Sequence, residues 1–168
     1  RRAGHLLRRG GDLLTCDGHQ LKLLFAAGLA WLRVNYESVN ALNVFPIPDG
    51  DTGTNMLLTL QAAFKEIEGN DDANAGKIAH AFAQGALMGA RGNSGVIFSQ
   101  ICRGFSRGIG DRPSFTATDF AKAMREATET AYRGVVKPVE GTILTVSKDA
   151  AIAAESAVQR HNDLRAVL

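Results

Sequence analysis

The chain has 168 residues, and 45% of them are hydrophobic, so one domain can bury a substantial core without disulfide bonds. Its 19 Lys and Arg residues nearly balance 17 Asp and Glu residues, and a net charge of +2 argues against nucleic-acid binding. The two cysteines lie far apart in the sequence, which argues against a disulfide scaffold or a zinc framework. Reduced thiols in the cytoplasm are the expected state of these cysteines. No apolar run reaches the roughly 18 residues of a membrane span, so we expect a soluble protein.

The first segment, residues 1–16, is rich in arginine and glycine and has neither an initiator Met nor a signal-peptide core. We expect a flexible basic arm here, and a basic contact site is the alternative. Residues 17–168 are expected to form one folded domain. The helical pattern continues close to Leu168, so we expect the natural protein to extend beyond this residue.

Apolar residues recur at three- and four-residue steps through most of the domain, which is the period of an amphipathic helix. The pattern predicts a long first helix from Asp17 to about Leu42. Five more helices follow around residues 56–67, 78–87, 96–109, 120–131 and 142–153. Thr118 is the predicted cap of the helix at residues 120–131. The one strand-like run, "RGVVKPV", contains a proline that argues against a strand. The sequence therefore predicts an all-α fold of six helices.

The loop "NVFPIPDGDTGTNM" (Asn43–Met56) places Asp49 and Asp51 one residue apart, immediately before the second helix. Two prolines make the segment stiff and extended, so both carboxylates should lie on one side, with α-carbons about 6 to 7 Å apart. Thr52 or Thr54 can cap the helix, which should begin near Asn55 with unpaired N–H groups.

A helix N-terminus attracts anions, whereas two carboxylates repel them. A divalent cation resolves this conflict if Asp49 and Asp51 hold Mg²⁺, Mg²⁺ binds phosphate oxygens, and Thr54 and Asn55 contact the same phosphates. The alternative is an Asx-rich turn that only caps a helix.

A second loop, "GARGNSG" (Gly89–Gly95), also precedes a helix, and Ser94 is a good N-cap candidate. Its glycines and backbone donors can cradle phosphate or cover a nucleotide. The loop matches neither the Walker pattern nor the glycine-rich loop of protein kinases and Rossmann folds. A tight turn between two helices explains it equally well.

A third loop, "VKPVEGTILTV", places Glu140 and the capping hydroxyl of Thr142 before the last predicted helix. Alternate loops of an antiparallel helical fold lie at the same end, so the three loops can gather around one ligand. The alternative is that each loop is simply a capped turn. Arg91 and Lys137 can balance phosphate charge or be solvated, whereas His80 is interpreted as packed or solvated rather than as a metal ligand.

Three segments, "LNVFPIPDGDTGTNM", "GALMGARGNSGVIFSQ" and "VKPVEGTILTV", closely resemble the N-terminal ATP-binding domain of bacterial fatty acid kinases. These enzymes are relatives of the nucleotide-binding subunit of dihydroxyacetone kinase. The resemblance implies an up-and-down antiparallel helical barrel or bundle, with ATP and two Mg²⁺ ions bound in loops at one end. It makes Asp49 and Asp51 the catalytic, metal-binding residues. Asn43 stands where the relatives have a third aspartate, and it is expected to be a further metal ligand through its amide oxygen. The nucleotide would contact the residues Thr52, Thr54, Asn55, Gly92, Asn93, Ser94, Gly95 and Thr142.

The resemblance also implies an activity, namely transfer of the γ-phosphate of ATP to a fatty acid that a separate acyl-binding protein presents. Thr52 stands where the dihydroxyacetone kinases have His, which favours a fatty acid over a sugar as the acceptor. A kinase for dihydroxyacetone or a similar small hydroxylated substrate is one alternative, and a non-catalytic nucleotide-binding regulatory module is another. The later domains and a closing glycine-rich motif of such proteins are absent from these residues, and the oligomeric state, including a homodimer, stays open.

Overall fold

The computed structural model of the protein describes residues 13–45 and 47–168. Within these residues the chain forms a helical bundle, which confirms the predicted all-α class. Its elements are, in chain order, β1 (Thr15–Asp17), α1 (Gly18–Ala41), α2 (Thr52–Glu68), α3 (Ala75–Met88), α4 (Gly92–Ile109), β2 (Ser114–Thr116), α5 (Ala117–Arg133), α6 (Ile143–Val158) and α7 (Leu164–Val167). The six predicted helices are α1 to α6, and the four-residue α7 was not predicted.

The two short strands were also not predicted, and they correct the boundary of the N-terminal arm. β1 pairs with β2 in antiparallel fashion, and the pair Cys16 and Phe115 is almost fully buried. The backbone N–H of Leu13 donates to Oδ1 of Asp163 at 3.0 Å, and the Leu13 carbonyl accepts from the N–H of Leu164 at 2.8 Å. Residues 13–16 therefore belong to the folded domain, while residues 1–12 of the predicted arm lie outside the described residues.

Consecutive helices pack side by side, so the connections alternate between two ends of the bundle. We call one end the loop end; it holds the connections α1–α2, α3–α4 and α5–α6. The other, the strand end, holds β1, β2 and the α2–α3 connection, where the N–H of Ala75 donates to the Pro113 carbonyl at 2.9 Å. All three loops singled out from the sequence thus lie at the loop end.

The core combines a small aromatic cluster with very close helix packing. Phe25 of α1 stacks on Phe82 of α3 with ring centroids 3.8 Å apart. Phe105 of α4 meets Phe115 and Phe120 edge-on. Elsewhere small residues let the helix backbones approach each other, as at Ala123, which is fully buried between α5 and α4.

The helix starts differ from the predicted ones at three of the four positions where a cap was predicted. α2 begins at Thr52 instead of near Asn55, and α4 begins at Gly92, so Ser94 lies in its first turn and is not the N-cap. α5 is capped by Thr116 in a reciprocal capping box with Asp119, and not by Thr118. The predicted cap of α6 is confirmed, since Thr142 accepts from the N–H of Leu144.

Among the described residues, no helix combines the length and the apolar character that a bilayer-spanning segment needs.

Replacing an exposed glycine or a packed glycine by alanine should have opposite effects on the stability of the fold. A Cβ at Gly28, in the middle of α1, would meet nothing within 4 Å, so Gly28→Ala should raise the free energy of unfolding by about 0.5–1 kcal/mol. A Cβ at Gly104 of α4 would lie 2.5 Å from the Glu126 carbonyl oxygen, so Gly104→Ala should lower it by about 1–3 kcal/mol. Urea unfolding followed by circular dichroism measures both. Equal effects of the two substitutions would contradict the described packing of α4 on α5.

Candidate functional site

Asp49 and Asp51 lie on the exposed part of the α1–α2 loop. Neither carboxylate has a hydrogen bond or an ion pair with another described residue. Between them Gly50 has a φ of 67°, a left-handed conformation that glycine adopts without strain and that turns the chain sharply. Two adjacent carboxylates without partners suit a cation.

The carboxamide of Asn43 holds this loop together from inside. Its Oδ1 accepts from the backbone N–H of Asp51 at 3.2 Å, from the N–H of Thr52 at 3.3 Å and from the Thr52 hydroxyl at 2.9 Å. Its Nδ2 donates to the carbonyl of Ile47 at 2.9 Å. One side chain therefore ties the middle and the end of the loop to its beginning.

A second carboxamide, that of Asn40 in the last turn of α1, binds the first turn of α2. Its Oδ1 accepts from the N–H of Thr54 at 3.0 Å, and its Nδ2 donates to the Thr54 hydroxyl at 2.9 Å. The sequence had predicted unpaired N–H groups at this helix start. That prediction is wrong for Thr52 and Thr54, and among the described residues only Gly53 keeps an unpaired first-turn N–H.

The first turn of α4 is open by comparison. Its N-cap residue, Arg91, gives no side-chain cap, and the N–H groups of Gly92, Asn93 and Ser94 have no partner among the described residues. Gly92 has a φ of 58°, and both it and Asn93 are exposed. This helix start therefore presents a row of backbone donors to solvent, which is the arrangement that favours anions.

The structure brings the starts of α2 and α4 together. The Ser94 hydroxyl donates to the Thr52 carbonyl at 3.4 Å, and a Cβ at Gly92 would lie 2.4 Å from Nδ2 of Asn55. The buried hydroxyl of Thr59 accepts from the N–H of Arg91 at 3.0 Å. The carboxylate-bearing loop and the open helix start thus form one continuous surface.

The third loop lies at the same end but is joined to the bundle differently. Thr142 uses its hydroxyl to cap α6 and to donate to the Val139 carbonyl at 2.8 Å. A Cβ at Gly134, where the loop starts, would lie 3.2 Å from the Gln100 side chain of α4. No hydrogen bond between described residues links Thr142 to the first two loops.

Glu140 organises this third loop through three side chains. Its carboxylate accepts from the Tyr132 hydroxyl at 3.1 Å, the Thr145 hydroxyl at 2.8 Å and the Lys148 ammonium at 2.8 Å. Lys148 contributes most, and together these donors lower the pKa of Glu140 to about 2. The loop is therefore fixed by a surface network and not by burial.

The described residues contain no group of three or more His, Cys, Asp or Glu side chains arranged to hold a metal. A cation at Asp49 and Asp51 would have hard oxygen donors, which suit Mg²⁺, but it would need further oxygens from water or a phosphate. A cavity of ≈ 490 Å³ lies elsewhere, towards the strand end between α3 and α4. His80 lines it, yet two of its cations already have partners, since Lys77 pairs with Asp72 and Arg107 with Glu126.

Sequence reasoning missed Asn40 and Thr59. An amide three residues before Asn43, at the end of a predicted helix, is the signal that could have indicated a loop-binding role for Asn40. Thr59 falls on the buried face of α2, and nothing in the local sequence separates its role from ordinary packing.

The Glu140 network predicts a specific titration. Lys148→Gln should raise the pKa of Glu140 from about 2 towards its ordinary value, because it removes the largest cause of the lowering. Carboxyl ¹³C NMR against pH measures this value, and Lys137→Gln, in the same loop, is the matched control. In the wild type any stability that this pairing contributes should be lost as the pH falls from the ordinary Glu range towards 2. An unchanged Glu140 pKa in Lys148→Gln would contradict the network.

Comparison with known proteins places these features in a family. Residues 46–168 match the DAK2 domain. The chain is 47% identical over 157 residues to protein YloV of Bacillus subtilis (strain 168), covering 94% of this chain and 28% of the relative. It is 51% identical over 132 residues to an uncharacterized protein of Staphylococcus epidermidis (strain ATCC 12228 / FDA PCI 1200), covering 79% of this chain and 24% of the relative. An uncharacterized protein of Staphylococcus aureus (strain USA300) is 52% identical over 132 residues, with the same coverage of 79% and 24%.

The chain thus spans about a quarter of the length of these relatives. The matched residues, 46–168, include Asp49, Asp51, the open start of α4 and the third loop, while Asn40 and Asn43 precede them. Both the match of most of the chain and the identity with the relatives point to the same conclusion: this chain belongs to the DAK2 domain family.

Proposed function

We propose that this domain binds ATP with Mg²⁺ at the loop end and transfers the γ-phosphate to a fatty acid carboxylate held by a separate acyl-binding protein. One observation carries the proposal. Two unpartnered carboxylates, Asp49 and Asp51, lie on the exposed loop whose end, at Thr52, contacts Ser94 in the open first turn of α4. This combination provides for both halves of a metal-bound polyphosphate, because carboxylates bind the cation and backbone N–H groups bind the anion.

The residues divide the work by charge. Asp49 and Asp51 would hold Mg²⁺, with two ions expected, and the N–H groups of Gly92, Asn93 and Ser94 would donate to phosphate oxygens. Bound Mg²⁺ neutralises the charge that builds up on the phosphoryl oxygens. Phosphoryl transfer needs positioning and charge neutralisation more than covalent help from the protein, so this small set suffices in principle.

The neighbours of these residues would shape the pocket. Asn55 lies against Gly92 and Ser94 against Thr52, so both side chains are within reach of a ligand on α4. Gly95 follows in the same helix start. Thr54 and Thr142 stay proposed contacts, although their hydroxyls already bind Asn40 and cap α6.

The acceptor is the finer part of the proposal. A fatty acid carboxylate is ionised at neutral pH and needs no general base, and the described residues place no histidine at the loop end. The sequence resemblance to fatty acid kinases supports this acceptor. The DAK2 match favours a second candidate, a kinase for dihydroxyacetone or a similar small hydroxylated substrate. In either case we place the protein in the cytoplasm, where ATP is available.

The nucleotide site predicts metal-dependent binding. Titration calorimetry of ATP into the wild type should show binding that depends on Mg²⁺, and Asp49→Ala or Asp51→Ala should weaken it by roughly 2 kcal/mol or more, about 30-fold. Circular dichroism should stay helical, because neither carboxylate contacts another described residue. Asp111→Ala, an exposed change at the strand end, is the matched control. Equal affinity in the wild type and both aspartate variants would remove these residues from the site.

The acceptor class predicts a distinct product. With Mg-ATP and an acyl-binding protein loaded with fatty acid, ADP release should be accompanied by an acyl phosphate, which hydroxylamine traps as a hydroxamate. A full-length relative such as protein YloV is assayed beside this chain, because the chain spans about a quarter of the length of these relatives. ADP release with dihydroxyacetone and no protein partner would favour the second candidate. Mg-ATP binding without turnover under any of these conditions would indicate a non-catalytic module instead.

A further inference from the structure

The position of Asn43 raises a question about its role, because the resemblance makes it a metal ligand. A carbonyl oxygen has two lone pairs, and Oδ1 of Asn43 already accepts three hydrogen bonds, from two N–H groups and a hydroxyl of Asp51 and Thr52. A cation at the same oxygen would face the positive ends of these donors. Binding it there would mean breaking the bonds that shape the loop.

We propose that Asn43 is a positioning residue, which fixes the spacing of Asp49 and Asp51 through its carboxamide and does not itself ligate the metal. This inference rests on the proposed Mg-ATP site. It assigns to Asn43 a role through hydrogen bonds that exist in the protein before any ligand arrives.

The geometry shows how one side chain can do this. The donor half of the carboxamide binds the carbonyl of Ile47, and the acceptor half binds Asp51 and Thr52. Asp49 lies between these two tied points, and Asp51 is itself one of them. The two carboxylates are therefore held relative to each other by bonds to a single planar group.

Holding the loop in advance matters because the carboxylates repel each other. Without the carboxamide, an exposed loop between two helices can separate Asp49 from Asp51 and lower that repulsion. A metal ion would then have to bring the loop together at a cost in affinity. The hydrogen bonds of Asn43 bring the loop together when the protein folds, so the metal does not have to do so.

Asn40, in the last turn of α1, offers a partial comparison with Asn43. Its side chain binds the backbone and hydroxyl of Thr54 and makes no hydrogen bond with residues 47–51. Its loss should loosen the start of α2 without freeing residues 47–51. The two amides three residues apart thus have separable effects.

The test compares Asn43→Ala, Asn43→Asp and the control Asn35→Ala, which removes a side-chain amide of α1 that donates to the Trp31 carbonyl. Amide hydrogen exchange by NMR is measured first on protein free of metal and nucleotide. In Asn43→Ala, the N–H groups of Asp51 and Thr52 should exchange about tenfold faster, because each loses its acceptor. Asn43→Asp keeps an acceptor oxygen and should restore most of the protection, and Asn35→Ala should leave both groups unchanged.

Two further readouts separate positioning from ligation. The side-chain NH₂ protons of Asn43 in the wild type should be protected from solvent exchange before metal is added and remain so with Mg-ATP. The affinity of Asn43→Ala for Mg-ATP should fall about tenfold, while binding of ATP in EDTA changes little. Metal-free exchange of Asp51 and Thr52 that is the same in Asn43→Ala and wild type would overturn the inference, as would NH₂ protection that arises only with metal.

The outcome for the proposed function is read separately. If the wild type fails to bind Mg-ATP, the proposed function fails, and the metal-free exchange data still decide whether Asn43 holds the loop. If the wild type binds Mg-ATP and Asn43→Ala binds it equally well, the positioning role is wrong while the nucleotide site stands.

Discussion

Close approach of helix backbones at the loop end is the constraint on which the candidate site depends. A Cβ at Gly53 of α2 would lie 2.1 Å from the Tyr36 carbonyl oxygen of α1, and one at Gly89 would lie 2.1 Å from Cβ of Ala62. A Cβ at Gly95 of α4 would lie 2.3 Å from the Thr59 hydroxyl. At Gly53 and Gly89 the clashing atoms are a backbone oxygen and a Cβ, so a larger residue would have to shift a helix, whereas at Gly95 the Thr59 side chain would have to move. Because α1, α2, α3 and α4 converge here, two helix starts and a loop are close enough to act on one ligand.

The two helix starts are treated in opposite ways, and this difference gives the site its polarity. The start of α2 is largely closed by the side chains of Asn40 in α1 and Asn43 in the α1–α2 loop, so much of its attraction for anions is already used within the protein. The start of α4 receives no such cap from described residues and keeps its donors. Negative charge on the loop before α2 and unpaired N–H groups on α4 therefore sit side by side. Such a pairing suits a ligand that carries its own cation, since a bare anion would be repelled by Asp49 and Asp51.

The sequence predicted what depends on local pattern and missed what depends on distant contacts. The long helices follow from apolar residues at helical spacing, and the cap at Thr142 follows from a hydroxyl after Gly141, which has a φ of 80°. The pairing of Thr15–Asp17 with Ser114–Thr116 joins segments about a hundred residues apart, and three-residue strands are too short to show a period. The alternation of helix ends predicted that the three loops lie at one end of the bundle. It could not predict that Asn40 bonds to Thr54 at the start of α2. That bond depends on the exact angle at which α1 meets α2, which is set by tertiary packing.

The cavity between α3 and α4 lies away from the carboxylate-bearing loop. The cavity lined by His80 also contains Lys77 and Arg107, which are already paired with Asp72 and Glu126. It lies towards the strand end, opposite the unpartnered carboxylates of the α1–α2 loop. A small domain need not enclose its ligand, because phosphates and a metal can be bound on an exposed surface by charge and backbone donors alone. What such a surface cannot rely on is burial to fix its geometry. Short polar contacts such as those of Asn43 must then supply the rigidity that a closed pocket would otherwise provide.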